Sequence, residues 1–185
     1  MDKFYELEVA GLKRQLPLCK VNDTLYIGAF VMFSDVELTV KCAEELLKLA
    51  PEHDIIVTAE SKGIPLAYEM AKQSGNNDYI VARKGPKLYM KNIITTKVDS
   101  ITTAKTQQLC LGEKEANLIK GKRVLIVDDV ISTGESLKAV ELLVEQIGGK
   151  IVGKMAVLAE GDAIERKDIK VLAPLPLFTP DGSIL

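Results

Sequence analysis

Short apolar runs alternate along the chain with stretches in which apolar residues recur at helical spacing. Leu38, Cys42, Leu46 and Leu49 keep that spacing over residues 38–49, and Pro51 follows as a stop, so this segment is predicted to be an amphipathic helix. Ile55–Ala59 (IIVTA) is short, apolar and β-branched, which predicts a buried strand. Ile64, Ala67, Tyr68 and Ala71 then place a helix over Ile64–Gln73. Residues 79–82 and 124–127 read as further strands. Leu137, Val140, Leu143, Val144 and Ile147 face one way in a helix over 136–147 that Gly148 and Gly149 end. Residues 152–158 and 171–173 supply the last strands. Short buried strands alternating with helices predict an α/β fold with a mainly parallel central sheet flanked by helices.

Residues 92–111 break this rhythm. They are rich in Thr, Ser, Lys and Gln and alternate over 93–98 and 107–111, which predicts a hairpin with a polar tip. A mobile lid and an ordinary exposed hairpin both have this pattern.

Composition adds limits. The 185 residues suit one domain, and 47% hydrophobic with 27% charged residues is a globular balance. A net charge of -2 gives no overall attraction for nucleic acid or an anionic membrane, and small anionic ligands fit better. Cys19, Cys42 and Cys110 are odd in number and widely spaced, which suggests neither a disulfide framework nor a zinc site and fits a reducing cytoplasm. There is no signal-like N-terminus and no long apolar run, so neither export nor a membrane span is expected.

Chemistry concentrates where strands are expected to end. The strand at 124–127 delivers Asp128 and Asp129 to its carboxyl end, where open α/β sheets place their ligands. Ser132, Thr133, Gly134, Glu135 and Ser136 then turn into a helix, offering backbone N–H groups, hydroxyls and a positive helix end to a phosphate. Two adjacent acids would oppose a phosphate unless they met another group, and a ribose diol, free or metal-bound, is a natural one. Diol plus phosphate describes a sugar phosphate. The same string also fits a buried strand followed by ordinary Asp and Ser/Thr helix caps. A second strand-end loop carries Ser61, Lys62 and Gly63, fit for another phosphate or for a plain turn with a solvated lysine. A third follows the strand at 79–82 and gathers Arg83, Lys84 and Lys87, a charge run that suits a leaving anion and equally suits solvent. His53 is the only histidine and precedes a strand, so it is read as a surface residue.

The string VLIVDDVISTGES, four apolar residues, two acids, three variable positions and Thr-Gly, resembles the phosphoribosyl pyrophosphate (PRPP) signature of type I phosphoribosyltransferases. The resemblance runs from about residue 16 to residue 178. It implies their fold, with a small hood (1–37) and a flexible hairpin lid (92–111) on one domain spanning 1–185. It implies that Asp128 and Asp129 contact the ribose hydroxyls and serve catalysis, that residues 132–136 hold the 5-phosphate, and that Ser61, Lys62 and Gly63 form a pyrophosphate loop. Arg83, Lys84 and Lys87, in ARKGPKL, resemble the RK-x-x-K-L segment of adenine enzymes and the ARK segment of xanthine ones, which implies a place at the pyrophosphate. The chemistry implied is displacement of pyrophosphate from ribose C1 by a purine nitrogen, with Mg2+ on PRPP near Asp128 and Asp129 and no protein group directly assigned as its ligand. A homodimer is implied as well.

Ser132 stands where hypoxanthine–guanine enzymes commonly carry Asp, which points to the adenine and xanthine branches. Residues 172–178, LAPLPLF, resemble the ending of adenine enzymes, so adenine leads, with a xanthine enzyme or a non-catalytic PRPP-sensing regulator as alternatives. The chain departs from the adenine pattern in several places. Glu135 replaces a small or basic residue, Lys62 a frequent Arg, and Asp99 and Thr102 stand where a lid Tyr and Glu are expected, while Ser100 is kept. Leu25, Tyr26 and Phe30 are the base-pocket candidates, although such aromatics equally suit the core.

Overall fold

The computed structural model describes residues 3–99 and 106–185. Its N-terminal part runs β1 (Phe4–Val9), β2 (Leu12–Lys20), β3 (Tyr26–Gly28), α1 (Val36–Leu49), β4 (Ile55–Ala59), α2 (Ile64–Gln73) and β5 (Ile80–Ala82). A hairpin of β6 (Ile94–Asp99) and β7 (Thr106–Leu111) leads to α3 (Glu113–Ile119). Then come β8 (Arg123–Ile131), α4 (Glu135–Ile147), β9 (Lys150–Glu160), β10 (Lys170–Leu175) and β11 (Leu177–Phe178). The hairpin pairs Ile94 with Leu111 through to Asp99 with Thr106, while the tip at 100–105, with Ser100 and Thr102, lies outside the described residues.

The central sheet has five strands in the order β10-β9-β8-β4-β5, each pair parallel. Helices must cover both faces of such a sheet, which is why its strands read as continuous apolar runs: all five residues of β4 are buried. On one face Leu137, Val140, Leu143 and Val144 of α4 pack on Val57, Ile80, Val124 and Ile126 with Ile119 of α3. On the other, Leu38, Cys42 and Leu46 of α1 and Leu66 and Met70 of α2 pack on Ile56, Leu125 and Val127.

β1, β2, β3 and β11 form a separate four-stranded sheet in which every pair is antiparallel. Its Leu7, Val9 and Leu16 share the second core with Leu175 of β10. Arg14 of β2 ties it to α1, its Nε donating to Asp35 Oδ2 at 2.7 Å and its Nη2 to Glu37 Oε2 at 2.8 Å. Asp35 in turn accepts from the Leu38 N–H at 3.0 Å and caps α1, so that helix starts at Val36, two residues before its apolar face begins.

β8 is longer than its apolar run predicts. Asp128 and Asp129 lie inside the strand rather than beyond it, because β9 continues alongside, pairing Asp128 with Ala156 and Ile131 with Ala159. On its other edge β8 pairs with β4 only as far as Ile126, opposite Val57. Beyond that point the two strands part. The chain order also reverses there, β5 lying on one side of β4 and β8, β9 and β10 on the other, which makes the gap a topological switch point.

Candidate active site

A cavity of about 440 Å³ fills that gap. β4 contributes Ala59 and the loop after it Glu60, Ser61 and Lys62, and β8 contributes Asp128, Asp129 and Val130. Ser132 and Ser136 lead into α4, Glu160 and Leu175 end β9 and β10, and residues 27–31 close the side toward the small sheet. A smaller cavity of about 60 Å³, lined by residues 130–137 and Asp128, shares Asp128, Val130, Ser132 and Ser136 with it.

The loop after β4 reaches β8 because Gly63 has no side chain. A Cβ there would stand 2.5 Å from Thr58 Oγ1, 2.8 Å from Asp128 Oδ1 and 3.2 Å from Asp128 Cα. The approach sets Lys62 Nζ 2.8 Å from Asp129 Oδ2, an ion pair in distance without hydrogen-bond alignment, and 3.5 Å from the Phe30 carbonyl oxygen. The Glu60–Ser61 peptide is cis.

The two acids differ in environment. Asp129 is only 4% exposed, with the Lys62 ammonium as its counter-charge. Asp128 Oδ1 accepts from the Asp129 N–H at 2.9 Å. Burial, and then the Asp129 charge beside it, push the Asp128 carboxyl well above the usual carboxylate range. A pair of crowded carboxylates opposite one lysine is poised to accept hydrogen bonds from a diol, or a cation.

On the far side of Asp128 the chain turns at Gly134, whose φ of 78° places it in the left-handed region, and Arg166 Nη1 occupies the space a Cβ would need. Gly134 caps α4 without a side chain, and the first turn of the helix lines the smaller cavity. Thr133, Gly134 and Glu135 line that cavity, and Ser132 and Ser136 line both.

Of the three cations after β5, Lys84 lines the large cavity. Arg83 pairs with Glu60, Nη2 to Oε1 at 3.3 Å, and its backbone bonds to Cys110. Lys87 lines neither cavity. Glu60 is thereby committed: its Oε2 accepts from the Lys84 N–H at 3.0 Å, and that bond with the charges of Arg83, Lys87 and Lys84 holds its carboxyl below the usual range. Phe30 is buried and lines the cavity, whereas Leu25 and Tyr26 do not: the Leu25 carbonyl, in the β2–β3 connection, accepts from Val21 and Asn22, and Tyr26 starts β3, paired with Lys20 and Phe178. The cavity wall begins one residue later, at Ile27.

Sequence reasoning missed Ile27, Gly28, Ala29, Val31, Glu160 and Leu175. Glu160 had a signal, since it follows the apolar run at 155–159 as Asp128 follows the one at 124–127.

The chain belongs to the phosphoribosyl transferase domain family, whose model matches residues 37–174, and it has the type I phosphoribosyltransferase fold. It is similar to the adenine phosphoribosyltransferase of Acetivibrio thermocellus, 33% identical over 155 residues that cover 80% of this chain and 84% of that one. It is also similar to the xanthine phosphoribosyltransferase of Bacillus licheniformis, 31% identical over 155 residues covering 82% of this chain and 78% of the relative. Among solved structures, the adenine phosphoribosyltransferase of Thermoanaerobacter pseudethanolicus superposes with a TM-score of 0.64 at 22% identity, covering 77% of this chain and 84% of that one. Among the described residues, no helix is long and apolar enough to cross a membrane.

Proposed function

We propose that the cleft transfers the phosphoribosyl group of PRPP to a purine base, adenine first, giving the nucleotide and pyrophosphate. The observation that carries this reading is the placement of Asp128 and Asp129, on the strand that leads into the α4 turn, directly against the Ser61–Gly63 loop across the switch point. Residues 132–136 would hold the 5-phosphate, Asp128 and Asp129 the ribose hydroxyls, and Ser61, Lys62 and Gly63 with Lys84 the pyrophosphate. Arg83 would act through Glu60 and Lys87 through its charge.

A ring nitrogen of the base forms the new bond to ribose C1 as the C1–oxygen bond to pyrophosphate breaks, and the proton that nitrogen carried passes to the departing pyrophosphate or to water. The positive charge that develops on the ribose lies near the Asp128–Asp129 pair, and the negative charge on the departing group lies near Lys62 and Lys84. Asp128 and Asp129 suit Mg2+, which commonly takes one or two carboxylates and completes its shell with substrate oxygens and water. Among the described residues no cluster of three or more His, Cys, Asp or Glu forms a cation cage of its own. When bound, that ion neutralises pyrophosphate charge.

Adenine is preferred over xanthine by the LAPLPLF ending and by the adenine enzymes among its relatives, at 33%, 35% and 37% identity. The same reading makes the whole chain one catalytic domain and the protein a cytoplasmic homodimer of purine salvage. Incubation with PRPP, Mg2+ and each purine in turn tests it: nucleotide and pyrophosphate are expected with adenine. Turnover with xanthine alone would replace the substrate, and PRPP binding with no turnover would favour a sensor.

A further inference from the structure

We propose that Glu160 reads the amino edge of the purine and so sets the choice of a 6-amino over a 6-oxo base. The proposal rests on the function proposed above, because that reading assigns the other polar groups of the cleft. Once Ser61, Lys62, Lys84, Asp128, Asp129, Ser132 and Ser136 are given to PRPP, the remaining wall is apolar or backbone, residues 27–31 with Val130 and Leu175, apart from two glutamates. Glu60 is spent on Arg83 and the Lys84 N–H. Glu160 is left.

Glu160 is the last residue of β9, paired in register with Leu175 of β10, and both line the cavity. It is half-buried, and it takes neither a hydrogen bond nor an ion pair among the described residues. Its nearest opposing charge, Lys62, already faces Asp129. A desolvated carboxyl without a partner is costly, and a ligand that supplies the missing hydrogen bond recovers that cost on binding.

The chemistry of the carboxyl selects the ligand. Burial raises its pKa against the opposing pull of Lys62. On the N7 edge of adenine the exocyclic N–H donates to the carboxyl, and a protonated carboxyl also donates to the N7 lone pair beside it. In its ionised form it still accepts from the exocyclic amine. On that same edge a 6-oxo base turns two acceptors, its exocyclic oxygen and N7, toward a carboxyl with at most one proton to give, so one acceptor is left facing another. Sites built around such a hydrogen bond discriminate strongly, because the wrong base leaves a buried group unpaired.

The test is steady-state kinetics of the wild type, Glu160→Gln and Glu160→Leu with adenine and with hypoxanthine, in excess PRPP and Mg2+, alongside KM for PRPP. Glu160→Leu is expected to lower the adenine-to-hypoxanthine ratio of kcat/KM by roughly tenfold or more, mainly through KM for adenine, with KM for PRPP unchanged. Glu160→Gln keeps one donor and one acceptor and is expected to retain most of the ratio. A ratio that stays within about twofold in Glu160→Leu, or a Gln variant as impaired as Leu, would overturn the proposal while adenine turnover by the wild type stands. A wild type inert toward adenine would overturn the proposed substrate and this inference together.

Discussion

Gly63 shows how one missing methyl group decides the site. Its backbone is ordinary, with φ at -72°, so no special conformation calls for glycine. Space does, since a Cβ would press on Thr58 and on the Asp128 carboxylate and backbone together. Overpacking of this kind costs about 1–3 kcal/mol. If the strain falls on the cleft, Gly63→Ala is expected to weaken PRPP binding by roughly ten- to a hundredfold by calorimetry, with a smaller loss of thermal stability. A variant that binds PRPP like the wild type would show that the loop can retreat without cost. Several residues that line the cleft were legible in the sequence, because carboxylates, hydroxyls and a lysine at strand ends are visible as letters. Glu60 was visible in the same way, but its commitment to Arg83 and Lys84 depends on two loops meeting, 24 residues apart in the chain, which no local pattern records.

At the scale of elements, buried strands and long amphipathic helices were legible and short or exposed elements were not. β4 and α2 have the ends their patterns predict, since each is bounded by a change from apolar to turn residues. α3 has seven residues and buries only Ala116 and Ile119, too few to display a period. The β1–β2 hairpin turns on Ala10 and Gly11, both at positive φ, and Ala at the first position hides the Asn-Gly or Asp-Gly signal of such a turn. The start of α1 depends on Asp35, and here a pH dependence follows. The Arg14 hydrogen bond, with the Leu38 N–H, holds the Asp35 carboxyl below its ordinary range, against burial. A depressed pKa stabilises the fold fully above the unfolded value, near 3.9, and that contribution is lost as pH falls through the lower folded value. Asp35→Ala is therefore expected to unfold about 1 kcal/mol more easily at neutral pH. The gap in chemical denaturation should narrow below about pH 4. A gap that widens in acid would contradict this account of the cap.

For the whole molecule, alternation of strand and helix was enough to predict a parallel sheet, but not its strand order, which depends on where crossovers return. That order places the β4 and β8 ends beside each other and so converts two separate sequence motifs into opposite walls of one cleft. The small sheet was harder to foresee, because its last strand, Leu177–Phe178, comes from the opposite end of the chain to the strand it joins. The central claim is that this cleft binds PRPP through the paired acids of β8. Calorimetric titration of PRPP with Mg2+ into the wild type and into the double variant Asp128→Asn, Asp129→Asn tests it most directly. Hydrogen bonds to charged groups contribute about 1.5–3 kcal/mol each, so affinity is expected to fall by roughly a hundredfold or more, with an unchanged circular dichroism spectrum. Equal affinity in a folded double variant would contradict the assignment of the site.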